Sequence, residues 1–299
     1  MTKTKLNSAF LFTASAAIIW GATAPIMKLT LTQVPVFSLV FIRISIAALI
    51  LLIFTYKKLK IKKKDICLFI WAALTGVSFN LTLFFLGLKL TEAITASFLV
   101  ASVPILTILA AHFYLREKLS FSLISSSIIA LVGIIIIIGK PLGSFTLTQT
   151  IGNMLLLIAT FSWVVHEIIA KKLLTSYSAD VLTFYLMAIG SITLMPLFIW
   201  EYISNPNWTS QINLMGIAGI VYGIFFASLI AYWAWQKGLS LMPAGQAAFF
   251  FYLDPVSGTI LSIILLGEKL TPQLLIGGFL IAIAVLLVEQ KRRAHPLHR

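Results

Sequence analysis

Residues Gly87–Leu119, GLKLTEAITASFLVASVPILTILAAHFYLREKL, lie without a gap over Gly238–Leu270, GLSLMPAGQAAFFFYLDPVSGTILSIILLGEKL. The overlay puts Pro104 on Pro255 and Glu117-Lys118-Leu119 on Glu268-Lys269-Leu270, every pair 151 positions apart. One offset held across separated anchors marks an internal duplication. Upstream the offset becomes 143, pairing Trp20, Lys28 and Phe41 with Trp163, Lys171 and Phe184. The second copy therefore carries additional residues, and the polar stretch Ser204–Gln211 is the natural place for them.

The duplicated segment is apolar, and so is the rest of the chain. Hydrophobic residues make up 60% and charged residues 10% of 299, against about 45–50% apolar in soluble domains. This composition defines an integral membrane protein. Apolar runs near the ~20 residues that cross a bilayer as helix recur along the whole length. Ten are expected: Ser8–Met27, Val36–Tyr56, Ile66–Leu88, Ala93–Leu115, Phe121–Gly139, Ile151–Ala170, Val181–Ile203, Ile212–Gln236, Ala244–Leu266 and Pro272–Val288. They are apolar on every face, without the alternation of a membrane barrel, so the fold class is all-α.

Basic residues set the orientation. With the N-terminus in the cytoplasm, the inside receives Lys3 and Lys5, the six lysines from Lys57 to Lys64, Arg116, Lys118, Lys171, Lys172, Lys237, Lys291, Arg292, Arg293 and Arg299. The outside receives Lys28, Lys89, Lys140 and Lys269, and Arg43 lies within a span. Such a bias places both termini inside. It also accounts for the net charge of +13 through short loops beside anionic lipid rather than through nucleic-acid binding. Ala14-Ser15-Ala16 has the small-x-small form of a cleavage site, but the apolar run continues to Met27, so the first helix reads as uncleaved. Cys67 is the single cysteine, which excludes a disulfide framework, and packing is its expected role.

Five helices per copy is an odd number, so the second copy must enter from the opposite side. The expected organisation is a first five-helix repeat at 1–140, an inverted second repeat at 151–289 and a basic cytoplasmic tail at 290–299. Inverted repeats are a common plan of secondary transporters, with the solute bound near the midplane.

The ten-helix pattern, Trp20-Gly21 in the first helix, Arg43 in the second and the doubled Pro-x(12)-Glu-Lys-Leu element resemble the drug/metabolite transporter superfamily, specifically its EamA-type exporters. The resemblance covers nearly the whole chain. It implies a carrier in the bacterial inner membrane that exports amino acids or related metabolites without ATP. Four-helix multidrug relatives use a first-helix carboxylate for proton-coupled cation exchange, and Trp20 and Trp163 occupy that position here, which counts against the same coupling. Sugar-phosphate and nucleotide-sugar carriers use several basic residues, whereas Arg43 is the one basic residue at depth in this chain.

Ionisable residues within spans are costly, at roughly 2.5–3.5 kcal/mol for a central charge on insertion scales, and they mark candidate sites. Asp254 lies ten residues from Ala244, about 15 Å deep. Pro255 follows it and removes the partner of the Phe251 carbonyl; Pro104 does the same for Val100 in the first copy, where Val103 replaces the acid. Asp254 reads as a binder of a substrate ammonium or coupling proton, or as a buried structural acid. Gln246 and Phe250 share its face at i, i+4, i+8 spacing. Arg43, about 12 Å from the outer end of its helix, reads as a clamp for a substrate carboxylate or as a structural cation.

Further candidates are Trp20, Trp163, His166 and Glu167, with Glu167 expected in an i, i+4 surface pair with Lys171 or as a proton-responsive group. Asn80 reads as a helix contact or a solute ligand. His112 lies near Arg116 and is expected at the interface. Tyr222, Phe226, Phe249 and Tyr252 supply aromatics for a cavity, whereas Trp233 and Trp235 fit the interfacial belt. Small residues at Ala93–Ser102 and Ala244–Ala248 allow close helix approach.

The expected function is a secondary active transporter working by alternating access on amino acids or related small metabolites. The alternatives are a proton-coupled multidrug or cation antiporter and, from a different class, an intramembrane enzyme. No HExxH, paired aspartates or nucleophile–base set supports the last, and the sequence calls for no metal and no cofactor. The partners expected are a small-molecule substrate, membrane lipid and a coupling proton, with a monomer sufficient.

Overall fold

The structure, a computed structural model, describes residues 3–118, 121–138 and 146–268, with positions 272, 275–280, 282–284 and 287 beyond them. Lys140, Leu119, Lys269, Leu270 and the tail at 290–299 lie outside the described residues. Among the described residues every regular element is helical. Eight helices are long and apolar enough to span a bilayer: α1 (Asn7–Thr30), α2 (Val36–Lys58), α3 (Lys63–Leu90), α4 (Ala93–Leu115), α6 (Leu147–Leu173), α7 (Ala179–Ser204), α8 (Leu214–Leu241) and α9 (Ala244–Leu266). Between α4 and α6 lies α5 (Phe121–Ile138), whose apolar part Ile124–Gly133 is shorter, and a second short apolar helix covers Leu275–Ala284. The chain is a multi-pass membrane protein.

Local chemistry fixes the helix starts. Thr146 and Gln149 form a reciprocal capping box ahead of α6, the Ser178 hydroxyl accepts from Val181 N–H at α7, and Asn213 accepts from Met215 and Gly216 at α8. The start of α2 is capped from another helix, since Glu201 near the end of α7 accepts from both the backbone N–H and the hydroxyl of Ser38. Pro206–Gln211, within the stretch expected to hold the extra residues, forms a 3₁₀ turn between α7 and α8.

Helices α1 and α6 are central. The first packs on α8 and α9, the second on α3 and α4, while α2 packs on α7. Glycine permits these approaches: a Cβ on Gly21 would fall 2.0 Å from Ser257 Oγ and 2.4 Å from the Asp254 carbonyl oxygen, joining α1 to the middle of α9. Outward faces stay apolar, with Phe54, Phe113 and Ile203 more than two-thirds exposed as lipid contact requires. Cys67 is also exposed, which overturns its expected packing role.

Four spans are irregular, and the irregularities come in pairs. The backbone widens to π-helix at Leu74–Ser78 in α3 and at Gly223–Ile230 in α8. It breaks at Ala101-Ser102 in α4 and tightens to 3₁₀ at Phe249–Leu253 in α9. Both pairs are related by the 151-residue offset. Pro104 and Pro255 occupy the first turn of the helix that resumes after each break, where a missing N–H is tolerated. The Phe251 carbonyl is consequently not free, because it accepts from Asp254 N–H in the 3₁₀ turn.

Candidate functional site

Beside these irregular segments, and reached by Phe251 of the 3₁₀ turn, lies a cavity of about 80 Å³. At ~10–15 Å³ per water-sized sphere it has room for several waters. Trp20 and Thr23 reach it from α1, Arg43 from α2, Asn80, Phe84 and Phe85 from α3, Thr160 and Trp163 from α6, Tyr232 from α8, and Phe251 and Asp254 from α9. The lining is itself duplicated: Trp20 and Trp163, Leu81 and Tyr232, Val100 and Phe251, and Val103 and Asp254 are repeat-related pairs that all face it.

Arg43 is buried in this wall. Its Nε donates to Ser228 Oγ at 2.8 Å, in the π-helical segment of α8, and its guanidinium carbon lies 5.4 Å from the centre of the Phe85 ring. Nη1 has no hydrogen-bond partner. Asp254 is 4% exposed, and among the described residues its carboxylate makes no hydrogen bond or ion pair. The cavity therefore carries one basic and one acidic side chain whose hydrogen-bonding capacity is incompletely used. They are not salt-bridged to each other, since the described ion pair is Lys58 with Asp180, at the surface.

Aromatic rings close one side. Trp20 donates its indole N–H to the Ala227 carbonyl at 3.0 Å, another group in the π segment. Its ring lies 5.1 Å from Trp163, 5.2 Å from Tyr232, 5.5 Å from Trp235 and 5.8 Å from Phe251. Tyr232 hydroxyl donates to the Gly76 carbonyl at 2.8 Å, tying this group to the π segment of α3. Asn80 lines the cavity while its amide donates to the Ala159 carbonyl at 2.8 Å, so it serves as a helix contact as well.

Several expected members stand elsewhere. Gln246 and Phe250 do not join Asp254; Phe250 packs instead on Phe10. The 3₁₀ turn has three residues per turn, so the register inherited from a straight α-helix fails and Phe251, three before Asp254, shares its face. Tyr252 packs on Phe249 in a separate cluster with Phe98. Tyr222 donates to the Ile19 carbonyl and stacks on Phe226, outside the lining. Trp235 is not a belt residue, being fully buried, while Trp233 donates to Asp180 at 2.6 Å. His112, half-buried, contacts the Glu117 carbonyl at 3.0 Å.

Behind the rings is a second polar cluster. Glu167 is fully buried and forms no surface pair with Lys171: its Oε2 accepts from Thr107 of α4 at 2.5 Å, and Oε1 has no partner within hydrogen-bond geometry. Trp163 and Trp235 turn their indole N–H groups toward this carboxylate. His166, also buried, lies 2.9 Å from the Ala72 carbonyl and 3.0 Å from the Gln236 amide, and only Gly76 leaves room for its ring.

Sequence reading missed Thr23, Phe84, Phe85, Thr160, Tyr232 and Phe251 as lining residues. The duplication could have supplied two of them: the equivalents of Leu81 and Val100 are Tyr232 and Phe251.

A helical membrane protein with a small cavity among its spans, lined by aromatic rings, one acid and one base, belongs, by fold and site, among solute transporters. The chain is a member of the EamA-like transporter family, whose profile matches it twice, over residues 7–139 and 150–289. It is similar to an uncharacterised transporter of Archaeoglobus fulgidus, 26% identical over 94% of this chain and 97% of the relative. Another relative, a probable terminal-alkyne amino-acid exporter of Streptantibioticus cattleyicolor, is 24% identical over 96% of this chain and 95% of its own length. A solved crystal structure shares the fold with a TM-score of 0.74, at 18% identity, covering 96% of this chain and 98% of that one.

Proposed function

We propose that this protein is a secondary active transporter that exports amino acids or related zwitterionic metabolites across the bacterial inner membrane. It crosses the membrane ten times as two inverted five-helix repeats, with both termini in the cytoplasm, and a monomer is a complete unit. The paired helix irregularities and the double family match support the repeats. The lysines near the ends of α2, α6 and α8 support the orientation.

The observation that carries the substrate class is the separated pair Arg43 and Asp254 in one aromatic cavity. A zwitterion satisfies both: its carboxylate meets the free Nη1 edge of Arg43, a planar donor suited to carboxylates, and its ammonium meets Asp254. The rings of Trp20, Trp163 and Phe251 receive an apolar side chain. The name of the Streptantibioticus relative is consistent with this chemistry. Ligand pockets usually measure about 300–1,000 Å³. A cavity of about 80 Å³ must therefore widen to accommodate a solute of that kind. We assign proton coupling to Glu167, a buried carboxyl with one oxygen unpartnered.

Counterflow in proteoliposomes tests the assignment. Vesicles loaded with unlabelled amino acids should accumulate labelled amino acid, and vesicles loaded with cationic dyes should not. Proton-coupled dye exchange without amino-acid exchange would favour the multidrug alternative.

A further inference from the structure

The glutamates of the duplicated Glu-Lys-Leu motifs, Glu117 and Glu268, and the matched Lys28 and Lys171 do not line the cavity. They meet at the two ends of the molecule in corresponding arrangements. Glu117, just past α4, accepts from the first backbone N–H groups of α9, Ala244 at 2.7 Å and Gly245 at 3.1 Å. Glu268, just past α9, accepts from the first N–H groups of α4, Ala93 and Ile94, both at 3.3 Å. Each helix thus ends in a carboxylate that caps the other's start.

The lysines complete both ends. Lys171 of α6 donates to the carbonyls of Leu239 at 2.7 Å and Met242 at 2.6 Å, at the turn leading from α8 into α9. Lys28 of α1 donates to Leu88 at 2.6 Å, to Lys89 at 3.3 Å and to Thr91, at the turn from α3 into α4. Leu88 and Leu239, Thr91 and Met242, Ala93 and Ala244 are all 151 apart. Carboxylate on free N–H groups and ammonium on free carbonyls are the favourable pairings at helix ends. The glutamates cross between the repeats, Glu117 of the first holding the α8–α9 turn of the second and Glu268 of the second holding the α3–α4 turn of the first, whereas Lys171 and Lys28 brace those same turns from within their own repeat.

We infer that these two clasps are the gates of the transport cycle, Glu117 with Lys171 closing the cytoplasmic end and Glu268 with Lys28 closing the outer end. Both are fastened here. Opening toward one side releases the clasp at that end while the other holds. The carboxylates and lysines touch no solute; they set the balance between the two open forms. This inference rests on the transport reading and adds the residues that control access.

Sided labelling tests it without a substrate. In a Cys67→Ser background, Val100→Cys places one thiol in the cavity wall, and a membrane-impermeant maleimide is applied to either face of oriented vesicles. Glu117→Ala should raise cytoplasmic over outer labelling by about tenfold, the ratio matching loss of about 1.4 kcal/mol from one closed end. Glu268→Ala should shift the ratio the opposite way. Lys171→Ala and Lys28→Ala should follow their partners, and Glu→Gln variants, which keep one acceptor oxygen, should shift less. A misfolded variant labels equally from both faces, so it cannot imitate opposite shifts. Unchanged ratios, or shifts in the same direction for both alanine variants, overturn the gates. Opposite shifts in a protein silent in counterflow would keep the gates and remove the proposed substrate; transport with unsided labelling would do the reverse.

Discussion

The two halves agree at their ends and differ in their middles. Glu117 and Glu268, Lys28 and Lys171, and the turns they hold make corresponding contacts, Lys28 adding one to the Lys89 carbonyl. Within the membrane, Arg43 corresponds to Leu186, Asp254 to Val103, and Glu167 to Ala24. On the proposed function, closing either face of a membrane is the same task performed twice, so a duplicated device serves. Recognising one solute with unlike ends would be a single asymmetric task, and there the copies differ.

That contrast can be broken most directly at Arg43. Arg43→Ala should reduce kcat/KM for counterflow by about 30-fold or more, because truncating one side of a buried charge pair costs ~2–5 kcal/mol. Arg43→Lys should restore only part, lacking the planar fork. Normal transport by the alanine variant would return Arg43 to a structural role. Asp254→Asn should raise KM roughly tenfold for a zwitterion, in line with ~1.5–3 kcal/mol for a hydrogen bond to a charged group. It should have little effect on an analogue without the ammonium, and an equal loss for both solutes would separate Asp254 from ammonium binding.

Glu167→Gln should sharpen the comparison on the coupling side. Counterflow should persist within about threefold while uphill uptake driven by a pH gradient disappears; retained gradient-driven uptake would show that Glu167 only holds Thr107. The smallest effect is expected at Glu268. Burial pushes its carboxyl above the ordinary 4.5, against the pull of the Ile94 and Ala93 N–H groups, with Glu92 nearby raising it further and Lys28 lowering it. The clasped form therefore holds a proton more tightly than an open form with Glu268 in water. Acidifying through the raised value should favour outer closure, saturating below 4.5. Outer labelling should fall at most a few-fold, and Glu268→Gln should abolish the dependence.

Much of this was legible from apolar periodicity. Spans Ala93–Leu115 and Ala244–Leu266 have the expected bounds, and Arg43, Asp254, Trp20, Trp163 and Asn80 do share a wall. The failures occur where backbone geometry departs from 3.6 residues per turn. A 3₁₀ turn moved the cavity face from Phe250 to Phe251, and the π segments brought Ser228 to Arg43. Glu167 and Trp235 were misplaced for another reason: closeness to a helix end suggests water, but a neighbouring helix covers them. The Glu-Lys-Leu repeat was visible as a pattern, yet its partners are backbone groups, which carry no side-chain signature.

The reciprocal caps also bear on biogenesis. When the first half has entered the membrane, the start of α4 has no cap and Glu117 no partner, because both are supplied by chain not yet made. Completion of each half awaits the other, and the last contact of the set to be synthesised is that of Glu268. A truncation ahead of Glu268 would leave the α4 start exposed to membrane quality control, whereas two half-chains made separately would each present the grip that the other lacks.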